Sequence, residues 1–180
     1  MRKLIEVKCI GRGGQGAVTF AQLLAIASFY EGNHVQAMPM FGVERRGAPS
    51  MSFTRISNKK ILIRSQIYEP DFIVVLDDSL LGIKDILNGL KKTGSVIVNS
   101  RSERNLKAKA CFVDATSIAL KIFGRNIVNT PMLGAFAAYT NIVSLKNIFK
   151  AIDERFDDPL LRKKNKQAVK ETYNLCLKKK

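Results

Sequence analysis

An α/β fold, three layers α/β/α with a mainly parallel sheet and helices on both faces, is what the sequence predicts. Continuous apolar runs such as Phe72-Ile73-Val74-Val75-Leu76 read as strands buried on both sides. Longer helical patterns separate these runs, the alternation that builds parallel sheets. A first strand also leads straight into a glycine-rich turn that opens a helix, which makes the first βα unit Rossmann-like.

The elements follow in chain order. Residues 3–10 place Ile5, Val7 and Cys9 on one face and stop at Gly11, as a strand does. Residues 17–30 lack Gly and Pro, are rich in Ala and Leu, and form a helix that ends near Gly32. Residues 34–38 make a short second strand. Residues 39–49 hold two prolines with Gly42 and Gly47, a structured loop. Runs 51–56 and 61–64 bracket the polar group Ser57-Asn58-Lys59-Lys60, the pattern of a hairpin. Strands follow at 72–76 after Pro70, at 95–99 after Gly94, and at 110–113. Helical patterns cover 80–90, 117–123, 132–140, 145–156 and 160–177, and Ser144 is placed to cap the fourth of them. With no internal repeat and no linker, residues 1–180 read as a single domain ending in a basic tail over about 162–180.

Composition removes several classes. Among 180 residues, 46% are hydrophobic, with 12 Gly and 5 Pro, which excludes collagen-like, low-complexity and disordered chains. The net charge of +15 first suggests nucleic acid, but its distribution argues otherwise. Eight basic residues against one acid crowd the stretch from Arg162 to Lys180. That stretch reads as a solvated helix face and frayed end, or as a surface for an acidic partner. No aromatic-interleaved basic stripe of the single-strand-binding type appears.

Cys9, Cys111 and Cys176 are distant from one another and form no CxxC, which argues against a disulfide framework, a zinc site or an iron–sulfur cluster held by this chain. Reduced, buried cysteines of a cytoplasmic protein are the expectation. Glu6 and Lys8 interrupt the early apolar run, so no signal peptide is read, and no stretch is apolar enough to span a membrane.

Two uncharged stretches stand out: 18 residues between Arg12 and Glu31, and 20 between Arg125 and Lys146. A helix covering a sheet normally keeps a polar face. The helix over 17–30 has little beyond Thr19, Gln22 and Ser28 to offer. It is either enclosed by its own chain or, the preferred reading, sandwiched against a partner subunit.

Gly11-Arg12-Gly13-Gly14-Gln15-Gly16 fits GxGxxG in its proper place between strand and helix. Glycines allow the tight turn, and the helix N-terminus presents N–H groups and partial positive charge to an anion. A dinucleotide site also needs an acid about 20 residues later for the ribose. Here His34-Val35-Gln36-Ala37-Met38 carries none, so a phosphate of another ligand or a purely structural turn fits better. Arg45 and Arg46, on the loop Glu44-Arg45-Arg46-Gly47, can clamp a phosphate or carboxylate, pair across an interface, or simply be solvated. His34 lacks a triad partner, and GxSxG, HExxH and a P-loop Lys are absent. Asp77-Asp78 suits caps and turns better than a metal.

A wider pattern carries a resemblance. Gly11–Gly16 with its Ala/Leu-rich helix is followed by Phe41-Gly42-Val43-Glu44-Arg45-Arg46-Gly47-Ala48-Pro49 and Arg55-Ile56-Ser57. Next come Ser65-Gln66-Ile67-Tyr68-Glu69-Pro70-Asp71 and Asn129-Thr130-Pro131-Met132-Leu133-Gly134-Ala135-Phe136. Ser144-Leu145, Ile148, Ala151-Ile152 and Asn165 follow later. Together they resemble the gamma subunit of the 2-oxoacid:ferredoxin oxidoreductases over roughly residues 4–175, the pyruvate branch in particular. Ala48, where other branches often carry a second Gly, points the same way.

The resemblance implies a pyruvate synthase complex that converts pyruvate, coenzyme A and oxidised ferredoxin to acetyl-CoA, carbon dioxide and reduced ferredoxin. Thiamine diphosphate, magnesium and iron–sulfur clusters would sit in the alpha, beta and delta subunits, and this chain would hold none and supply no catalytic residue or metal ligand. It also implies that Gly11, Gly13, Gly14, Gln15, Gly16, Arg45 and Arg46 lie near the coenzyme A approach or at a subunit seam. A gamma subunit of a branched-chain 2-oxoacid enzyme is the near alternative. A stand-alone dinucleotide-binding dehydrogenase and a basic nucleic-acid module are the distant ones; neither nucleic acid nor membrane is an expected partner.

Overall fold

Alternation of side chains along the strands divides the buried residues into two cores, one on each face of a six-stranded sheet. The computed structural model describes residues 4–40 and 49–179. The strands are β1 (Leu4–Arg12), β2 (His34–Met40), β3 (Pro49–Ser57), β4 (Phe72–Val75), β5 (Ser95–Asn99) and β6 (Lys109–Val113). They lie in the order β2-β3-β1-β4-β5-β6. β1, β4, β5 and β6 pair in parallel, whereas β3 runs antiparallel between β1 and β2. The helices are α1 (Ala17–Tyr30), α2 (Ala115–Phe123), α3 (Asn129–Thr140), α4 (Leu145–Arg155) and α5 (Pro159–Leu177).

The α/β class and the mainly parallel sheet stand as expected, but α-helices on both faces do not: among the described residues all five pack on one face. Val7, Cys9, Ile56, Val74, Leu76, Ile97 and Val113 meet the apolar residues of all five α-helices. On the opposite face Ile10, Ile73, Val75, Val96, Val98 and Phe112 meet Leu80, Ile86 and other residues of the β4–β5 and β5–β6 connections, together with Met51 of β3. The pattern over 80–90 had suggested a helix. The structure instead has a 3-10 helix over Asp78–Gly82 and then separate turns. Asp85 at φ 65 and Gly89 at φ 85 take left-handed conformations that no α-helix tolerates. At Gly89 the tight fold is obligatory, since a Cβ there would stand 2.0 Å from the Tyr68 carbonyl oxygen.

The expected hairpin also fails. β3 pairs along its length with β1, from Leu4 opposite Ser57 to Arg12 opposite Pro49, and residues 61–64 form no strand. Their backbone is engaged otherwise. Arg55, fully buried, binds the Glu6 carboxylate at 2.8 Å and donates to the carbonyls of Ile63 and Gln66. A buried guanidinium needs such partners for its five donors. The Ile63 carbonyl accepts from Gln36 as well, which leaves the segment pinned to the sheet as irregular chain.

On the helical face, α1 lies against β3 closely enough that Ser52 and Thr54 donate hydroxyl hydrogen bonds to the Ala17 and Ala21 carbonyls. α3 runs through the middle of the layer, with residues from Thr130 to Ala138 all buried. α5 presses on it so tightly that a Cβ on Gly134 would meet the Val169 carbonyl oxygen at 2.2 Å. The second uncharged stretch is thus covered from within: for α3 the covering layer is this chain's own α1, α4 and α5, whereas α1, the helix read as partner-facing, keeps Phe29 and Tyr30 exposed. The basic C-terminal stretch is likewise mostly helix α5, anchored by Ala168, Val169, Thr172 and Cys176, with its lysines outward. Ser144 caps α4 as expected, accepting from the Asn147 N–H. Among the described residues no helix is long and apolar enough to cross a membrane.

Candidate functional site

In an open α/β sheet a ligand crevice forms at the carboxyl ends of the strands, where the chain departs to opposite sides. β1 is that point here, with β3 on one flank and β4 on the other. Its carboxyl end carries the glycine turn. A Cβ on Gly11 would crowd the Leu76 side chain at 3.1 Å and the Gln15 Oε1 at 3.3 Å. Gly14 (φ 92) and Gly16 (φ 82) hold left-handed backbone, and Gly13 lies between Arg12 and Gly14 in the same turn. Gly16 occupies the N-cap position of α1 and brings no side chain to cap it. The start of α3 meets the same spot, because a Cβ on Gly16 would stand 2.3 Å from Asn129 Nδ2.

The turn is braced from within. Gln15 Oε1 accepts the Arg12 N–H at 2.7 Å, and Gln15 Nε2 donates to Asp77 Oδ2 at 3.0 Å. Arg12 Nε reaches the same carboxylate oxygen at 3.2 Å, and its terminal nitrogen donates to Ser79 Oγ. Burial pushes the Asp77 carboxyl up. Hydrogen bonds from Ser79 and Gln15, with the Arg12 charge, outweigh burial and hold it below the ordinary carboxylate value. Asp77 also caps the 3-10 helix through the Ser79 N–H. Its neighbour Asp78 pairs with Arg104 and accepts from Ser100 Oγ.

Gly11, Gly13, Gly14, Gln15 and Gly16 are thus brought together in one turn. Arg45 and Arg46 lie outside the described residues. The strand register nevertheless fixes the roots of the segment that carries them: Pro49 is opposite Arg12, and Met40 is opposite Met51 in the neighbouring pair. Both roots stand at the edge that bears the glycine turn. His34 starts β2 at the opposite edge, across from Ser57.

Sequence reasoning missed the adjoining cleft. About 300 Å³ in volume, it runs along the carboxyl ends of β4, β5 and β6 between Asp78, Asn99, Ser100, Arg101, Arg104 and Asp114. Asn99 Nδ2 donates to the Leu76 carbonyl and to Thr116, and Arg101 pairs with Asp114, the cap of α2. The signal was present: polar Asn99-Ser100-Arg101 directly follows the apolar run Val96–Val98. Chemically this edge offers glycine-turn N–H groups, hydroxyls and paired guanidinium groups, suited to holding a polar or anionic group. Among the described residues no cluster of three or more His, Cys, Asp and Glu could hold a metal ion.

Comparison with known proteins decides the family. The Pyruvate ferredoxin/flavodoxin oxidoreductase family matches residues 6–175. The chain belongs to it. Pyruvate synthase subunit PorC of Methanocaldococcus jannaschii is 52% identical over 177 residues, covering 98% of this chain and 99% of that protein. The pyruvate/ketoisovalerate oxidoreductases common subunit gamma of Thermococcus litoralis is 52% identical, covering 94% and 96%. The crystal structure of pyruvate oxidoreductase subunit PORC from Thermotoga maritima superposes with a TM-score of 0.84 at 38% identity, over 96% of this chain and 97% of that one. The likeness to these subunits is nearly end to end, so the chain is a gamma-type subunit of a multi-subunit pyruvate:ferredoxin oxidoreductase.

Proposed function

We propose that this chain, within a pyruvate synthase complex with alpha, beta and delta subunits, is a non-catalytic subunit whose carboxyl edge borders the approach of coenzyme A. The observation that carries this reading is the convergence at that edge. The glycine turn, the uncapped start of α1 and both roots of the segment holding Arg45 and Arg46 stand together. Coenzyme A presents phosphates, for which helix N–H groups and arginines are complementary.

The carbon chemistry belongs to the neighbouring chains. Three cysteines are fewer than the four thiolates an iron–sulfur cluster takes, and Cys9 on β1 stands apart from the other two. The chain's residues do not fit such a cluster, and no electron step is routed through them. Choice of 2-oxoacid is likewise left to the other subunits, as the Thermococcus relative, described as common to two oxidoreductases, supports.

The test is the double substitution Arg45→Ala with Arg46→Ala in the assembled complex. The apparent KM for coenzyme A should rise about tenfold, the effect of losing roughly 1.4 kcal/mol of charge-assisted binding, with the KM for pyruvate little changed. Equal or negligible changes in both would overturn the placement.

A further inference from the structure

Cys111 on β6 and Cys176 in the last turn of α5 are 65 positions apart in sequence, yet their Sγ atoms lie 3.3 Å from each other. The carboxyl edge described above uses neither. Cys176 is buried at 1% exposure. Cys111 is half-buried and lines a cleft of about 220 Å³ together with Glu103, Arg104, Tyr139 and Lys179. Cys176 lines the same cleft, and Cys111 is the more exposed of the two. Cys9 provides an internal contrast: it is fully enclosed beneath α1 and hydrogen-bonded to Ser52.

We propose that Cys111 and Cys176 form a site of oxidative modification, at which a low-molecular-weight disulfide closes an intrachain cystine that fastens edge strand β6 to the end of α5. A covalent bond needs about 2.05 Å between the sulfurs, so the pair has little more than about an ångström to close. The Cys111 thiolate attacks one sulfur of the reagent, breaks its S–S bond and releases one thiol. The Cys176 thiol then gives its proton to solvent and attacks the Cys111 sulfur, releasing the second thiol. Two electrons pass from the protein pair, which is oxidised, to the reagent, which is reduced.

The pair is built to react slowly near neutral pH. The adjacent Cys176 thiol and then burial hold the Cys111 thiol above its ordinary value, with the Lys179 ammonium pulling the other way. Only the thiolate attacks, so the rate should climb with pH. The product would matter where α5 matters. That helix closes over α3, and a cross-link at its last turn ties the cover to the far edge of the sheet.

The experiment treats the reduced full-length chain with oxidised glutathione at about pH 8.5, near the ordinary thiol pKa. The expected product has lost two hydrogens, yields a Cys111–Cys176 linked peptide, and reverts with dithiothreitol. Its Tm should exceed that of the reduced chain by roughly 5–10 °C. Cys9 should remain free to alkylate once the chain is denatured. With Cys176→Ser the reaction should stop at one glutathione on Cys111, and Cys111→Ser, at the half-buried position, should protect the chain from both changes. Two unreacted thiols, a link through Cys9, a link only between two chains, or an unchanged Tm would each overturn the proposal.

Discussion

Helix α3 is closed off by the protein's own chain from Thr130 to Ala138, whereas α1, equally without charge, leaves Phe29 and Tyr30 at the surface and Ile26 half-covered. Composition does not separate the two; position does. α3 has the sheet below it and α1, α4 and α5 around it. α1 has β1, β2 and β3 below, with α3 and α4 to its side, and among the described residues nothing covers its far flank. A helix that is apolar all round therefore announces burial without saying who supplies the cover. Here the last two helices of the chain supply it.

The sharpest way to break the comparison is to remove a large side chain from α3. Phe136 is fully buried and stands edge-to-face with Phe20 at 6.2 Å and with Phe72 at 5.7 Å between ring centres. It joins α3 to α1 and to the sheet at once. Phe136→Ala should lower unfolding free energy by about 3–5 kcal/mol, through lost burial and the cavity left behind, as measured by denaturant titration. A loss below about 1 kcal/mol would mean that α3 is not the closed centre described above.

A smaller effect tests how the root of α1 is held. Asp77 ties Gln15 and Arg12 to the end of β4, and its replacement by Asn should cost about 1–2 kcal/mol at neutral pH through weakened charge-assisted hydrogen bonds. The pH dependence has a definite sign. The carboxyl sits below its ordinary value of 3.8 in the folded chain, so its contribution is complete above that value and is lost as pH falls through the folded one. The gap between wild type and Asp77→Asn should be widest near neutrality and close in acid. A gap that widens below about pH 4 would contradict this arrangement.

Much of this architecture was legible wherever a segment's own apolar pattern matched its surroundings. β4 and β5, continuous apolar runs, are indeed buried on both faces. α4 and α5 carry an apolar stripe and a polar face, and both were placed within a residue or two. What failed depended on distant partners. Residues 61–64 have strand-like composition, but Arg55 and Gln36 take up the Ile63 carbonyl. Leu80, Ile83, Ile86, Leu87 and Leu90 have helical spacing, but the left-handed residues Asp85 and Gly89 cut it. At the carboxyl edge the glycine turn was readable from GxGxxG. That Gln15 turns inward to Asp77, and that Asn129 packs on Gly16, rests on contacts across 62 and more than 100 positions, which no local pattern encodes.

The smallest effect is expected at Phe29, and it bears directly on the open flank of α1. At 64% exposure its ring has little burial to lose, so Phe29→Ala should change the stability of the isolated chain by less than about 0.5 kcal/mol in the same titration that reads Phe136→Ala. The two substitutions delete the same atoms from two uncharged helices, so the ratio of their costs measures how completely each flank is covered by the chain itself. A cost at Phe29 approaching that at Phe136 would require a cover that the chain does not provide. That cover would then be a second copy, and the cost would depend on protein concentration.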